Sequence, residues 1–87
     1  MGMVEFWYEL AQGTVKWFNE AAKTINERDG YYHIKLIKIR FDEYDYTYIV
    51  YEVSFDGTTR RKRTFECDKY SELISYLDGL CDAIMMF

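Results

Sequence analysis

Apolar residues recur every three or four positions over the first third of the chain. Val4, Trp7, Ala11, Val15, Phe18, Ala22 and Ile25 fall on one face of a 3.6-residue period, and Phe6, Leu10, Trp17 and Ala21 widen that stripe. The pattern predicts an amphipathic helix over residues 3–28. Glu5 and Glu9 in its early turns suit the helix dipole, and Asp29-Gly30 ends it, since glycine accepts a left-handed cap. The period then drops to two. Residues 31–41 alternate apolar and polar and predict a strand, with a change of phase at Leu36-Ile37 that implies a bulge or two partly buried faces. Residues 42–45 read as a polar turn, 46–55 as a second strand, Asp56-Gly57 as a hairpin turn and 58–67 as a third strand. Asp68 is placed to cap a last helix. Its apolar stripe is Tyr70, Leu73, Ile74, Leu77, Leu80, Cys81 and Ile84, with Glu72, Ser75, Asp78 and Asp82 facing out.

The resulting order, α-β-β-β-α, predicts one α+β domain over residues 1–87. Its three-stranded antiparallel sheet carries both helices on one face. Trp7, Val15, Phe18, Leu73, Leu77 and Ile84 are expected in the core. A four-residue first turn pairs Phe41 with Tyr46 and Ile37 with Val50. A two-residue second turn pairs Phe55 with Thr58, Glu52 with Arg61 and Tyr48 with Phe65, whereas a three-residue turn puts Phe65 beside Ile49. With the two-residue turn, one face collects Ile37, Ile39, Phe41, Tyr46, Tyr48, Val50, Phe65 and Cys67. The other collects Tyr32, Ile34, Leu36, Ile49, Tyr51, Val53 and Phe55. Two helices cover one such face and not both. Tyr32, Leu36, Tyr51, Val53 and Phe55 are therefore expected to form an uncovered apolar patch that binds a protein partner or a second copy.

Composition fits this picture. Aromatic residues make up 20% of the 87 residues, with nine Tyr, which exceeds what so small a core must bury. No apolar run is long enough to span a bilayer and no secretory leader opens the chain, so a soluble cytoplasmic protein without membrane contact is expected. Cys67 and Cys81 are read as free thiols of a reducing compartment. The net charge is −4, which disfavours nucleic acid as a partner. The charge is uneven. Residues 1–30 hold three basic and five acidic side chains, residues 31–67 seven and six, and residues 68–87 one and four.

Four groups of residues carry candidate chemistry. Gly13-Thr14-Val15-Lys16-Trp17-Phe18-Asn19-Glu20 is similar to the opening of bacterial cold-shock proteins, in which such a segment is a strand of a single-stranded nucleic-acid platform. The resemblance stops at Ala21-Ala22-Lys23-Thr24-Ile25, and the surrounding helical period takes precedence. Arg60, Arg61, Lys62 and Arg63 form a basic strand, suited to phosphate contacts or to guarding a sheet edge. Asp42, Glu43 and Asp45 form an acidic tip. His33, the single histidine, has no nucleophile or ligand at a recognisable spacing, so no catalytic residue, metal or cofactor is assigned.

The expected function is therefore a non-enzymatic protein-interaction domain. It is either a homodimeric module or a small acidic inhibitor in the style of phage-encoded anti-CRISPR proteins that imitate DNA, an analogy of size and charge. The alternative is a nucleic-acid-binding module using Arg60 to Arg63. Its element order resembles that of double-stranded-RNA-binding domains, in order alone.

Overall fold

The structure, a computed structural model, describes residues 3–54 and 62–87. Helix α1 spans Met3–Asp29 and stops at Gly30, whose φ of +75° is the left-handed cap that Asp29-Gly30 predicts. Strands β1 (Leu36–Asp42), β2 (Thr47–Val53) and β3 (Lys62–Cys67) follow, then helix α2 (Tyr70–Ile84). The sheet is antiparallel in the order β1-β2-β3, so β2 is central. The fold is the α+β arrangement α-β-β-β-α. No helix among the described residues is long and apolar enough to cross a membrane.

The helices bury their stripes together against one sheet face. Ala11, Val15, Phe18, Ala22 and Ile25 of α1 meet Leu73, Leu77 and Ile84 of α2, over Ile37, Ile39, Tyr48, Val50 and Cys67. The ring of Tyr76 stacks on that of Phe65 at 4.1 Å and fixes α2 on β3. Trp7, expected in the core, is only half-buried, although its ring meets that of Tyr70 at 4.9 Å with a 34° tilt.

Four local expectations are corrected. The first strand begins at Leu36, not Tyr31, because the Asn26 side chain holds Ile34 outside the ladder. The first turn covers residues 43–46. One Asp42 carboxylate oxygen accepts the Tyr44 and Asp45 N–H groups at 2.9 and 3.4 Å, and Tyr46 closes the loop at φ +51°. Phe41 thus pairs with Tyr48 and Ile37 with Glu52, a shift of two residues that leaves the faces unchanged. The change of phase at Leu36-Ile37 reflects two partly buried faces, Ile37 being buried and Leu36 half-buried, while the bulge lies opposite Val50/Tyr51, where Tyr48 pairs with Cys67 and not Phe65. Here the Thr64 hydroxyl donates to the Val50 carbonyl at 3.3 Å across the irregularity. Finally, α2 is capped by Lys69 rather than Asp68, without a side-chain bond. The Asp56-Gly57 turn lies outside the described residues.

The free edge of β1 is closed by side chains of α1. Asn19 accepts from the Ile37 N–H at 2.9 Å and donates to the Ile37 carbonyl at 3.0 Å. Asn26, fully buried one heptad later, does the same for Ile34 at 3.1 and 3.0 Å. The Tyr8 hydroxyl donates to the Ile39 carbonyl at 2.9 Å. An amide presents one donor and one acceptor, as a neighbouring strand would, so α1 supplies part of a fourth strand's bonding.

Candidate interaction surfaces

The expected patch on the second sheet face is not bare. Ile49 lies on that face between Arg40 and Glu66 and is only 2% exposed. Arg40 lies 6.0 Å above the Tyr51 ring. Arg63 pairs with Glu66 at 3.0 Å and is bonded to Tyr51; both contacts favour its charged form. Tyr51 is half-buried under this layer of stems and charges, and Val53 is half-buried as well. Leu36 and Ile34 pack against the main core, and Tyr32 is exposed beyond the strand. Phe55, Arg60 and Arg61 lie outside the described residues. Of the basic strand, Lys62 and Arg63 are exposed, and Lys62 pairs across the ladder with Glu52.

Another group of aromatics, ending in the exposed Tyr46, lies off this face. A chain of ring contacts runs through one end of the domain. It passes from Phe6 to Trp7 (5.2 Å), Tyr70 (4.9 Å), Tyr48 (6.3 Å), Phe41 (4.9 Å) and Tyr46 (6.1 Å). This end holds the N-termini of both helices and the β1–β2 turn. Burial holds the Tyr48 and Tyr70 hydroxyls above their ordinary pKa, with a smaller effect from Cys67 on Tyr48 and from Tyr48 and Asp78 on Tyr70. At its outer limit, Tyr44 is 96% and Tyr46 68% exposed. They share the turn with Asp42, which is bound into it, and with Glu43 and Asp45, whose side chains are exposed. The expected acidic tip is therefore an acidic and aromatic tip. Its aromatic half escapes sequence reading because the first turn is displaced by one residue, which moves Tyr46 out of the strand.

A second exposed apolar group lies along α1. Phe6, Leu10 and Trp17, expected to widen the core stripe, are each nearly half exposed. The segment resembling cold-shock proteins lies wholly within this helix. A shallow groove lined by Leu10, Gly13, Thr14, Trp17 and Cys81 runs between α1 and α2. His33 has Tyr31 and Phe87 as ring neighbours at 6.3 and 6.1 Å.

Cys67 and Cys81 are both free. Burial raises both thiol pKa values, opposed at Cys67 by a backbone hydrogen bond of Lys69 and reinforced there by Glu72 and Asp68 and at Cys81 by Asp78 and Asp82. With Tyr48 and Tyr70 these are groups whose protonated form the folded state favours. Their contribution is complete below the unfolded pKa values and is lost as pH rises through the folded ones. Urea midpoints should fall progressively from about pH 9 upward. A midpoint unchanged between pH 8 and 11 would exclude this linkage. Comparison of the chain with protein-family models, with curated proteins and with solved structures finds no match.

Proposed function

We propose that the chain is a non-enzymatic protein-interaction domain that docks through the tip of the β1–β2 hairpin. The observation that carries this reading is Tyr46. A non-glycine residue at φ +51° costs roughly 1–2 kcal/mol, and bulky side chains are rarely found there. Glycine or asparagine would relax the turn, yet the position holds a Tyr exposed beside Tyr44. Strain kept together with exposed aromatic surface is characteristic of recognition sites. The exposed carboxylates of Glu43 and Asp45 support a partner with a basic protein surface, such as one that itself binds phosphate. This chemistry also suits an inhibitor that occupies a nucleic-acid-binding face.

The double variant Tyr44→Ser with Tyr46→Gly separates binding from folding. Its thermal midpoint should stay close to that of the parent, because the strain that glycine relieves offsets the lost Tyr46–Phe41 ring contact, while Tyr44 contributes almost no burial. Immobilised parent should retain a basic protein that salt releases and that the variant fails to retain. Equal retention by both, or retention insensitive to salt, would sink the proposal.

A further inference from the structure

We infer that α1 pairs with α1 of a second copy, antiparallel about a two-fold axis, through Phe6, Leu10, Gly13 and Trp17. This surface is separate from the hairpin tip, so either proposal can fail alone. The spacings of four, three and four place these residues on one seam of the helix, on the side away from Val15 and Phe18. The seam is self-complementary. In an antiparallel pair centred between Ala11 and Gln12, Phe6 faces Trp17 of the second copy and Leu10 faces its Gly13. A Cβ placed on Gly13 meets nothing within 4 Å, so the position is an open hole that a Leu side chain can enter. Leu10 of the second copy would settle in the groove beside Thr14 and Cys81.

Charge fixes the direction. Glu9 and Lys16 are exposed, seven residues apart, on the flank of the seam away from α2. Antiparallel pairing brings Glu9 of each copy to Lys16 of the other, giving two ion pairs related by the two-fold axis. Parallel pairing would instead put the Glu9/Lys16 flanks of the two copies on opposite sides of the interface, with no ion pair between them, and would leave Gly13 opposite Gly13 with nothing to fill the hole.

Sedimentation equilibrium of the whole chain tests this with surface substitutions that leave the core intact. The parent should show a reversible dimer of the 10.5 kDa chain. Glu9→Lys and Lys16→Glu should each weaken the dimer about threefold to tenfold, and the double variant should recover parental affinity. A parent that stays monomeric at millimolar concentration overturns the inference. So does a dimer that neither single variant weakens, or one that the double variant fails to restore.

Discussion

Leu77→Ala should lower the unfolding free energy by about 2–5 kcal/mol, and Phe18→Ala by about 3–5 kcal/mol. Leu77 is fully buried at the middle of α2, and Phe18 of α1 lies in the same core with 6% of its surface exposed. Each truncation removes the transfer energy of the lost carbons and leaves a cavity. That cavity closes poorly here, because α1 is tethered to the edge of β1 by three side-chain bonding sites and cannot slide inward. Total stability of a domain this size is only about 5–15 kcal/mol, so either variant should unfold measurably below the parental temperature. Urea titration followed by tryptophan fluorescence reads the change directly. Losses below half a kcal/mol at both sites would mean that the helices bury other faces.

The helices were legible because their periodicity reports burial directly. Val15, Phe18, Leu73, Leu77 and Ile84 lie where the 3.6-residue pattern puts them. The pattern said less about the width of the buried stripe. Phe6, Leu10 and Trp17 fit the period as well as the core residues do, but α2 and the sheet together cover only a limited arc of α1. Periodicity gives the centre of a face and not its edges. Register was less legible still, because it depends on one side chain. The Asp42 carboxylate draws the Tyr44 and Asp45 amides into the turn and moves it by one residue. That displacement turns Tyr46 from an expected sheet residue into a candidate contact. The second sheet face reads as apolar by alternation alone, since Ile49, Tyr51 and Val53 line up there. The long stems of Arg40 and Arg63 that cover Tyr51 belong to neighbouring strands, and a single strand's alternation is silent about them.

Asn26 had a signal that was missed. It stands four residues after Ala22, inside the apolar face, and seven after Asn19. A polar residue repeated at heptad spacing within a buried stripe calls for a partner with both a donor and an acceptor, and the edge of a strand provides one. Asn26→Ala should therefore cost about 2–4 kcal/mol, since it strips both the Ile34 N–H and the Ile34 carbonyl of their partner. Asn26→Asp is the sharper test. A protonated carboxyl can donate to the Ile34 carbonyl and accept from its N–H, whereas an ionised one can only accept and is buried besides. Its folded pKa must therefore rise above the ordinary carboxylate value. The resulting contribution is present at acid pH and lost as pH climbs through the raised folded value, the reverse of a surface aspartate. Relative to the parent at each pH, the variant should be only mildly destabilised near pH 4. By pH 7 it should be several kcal/mol worse, on the scale of an unpaired buried charge. If the deficit is constant across that range, Asn26 is not exchanging both bonds with Ile34, and the edge of β1 is held by Asn19 and Tyr8 without it.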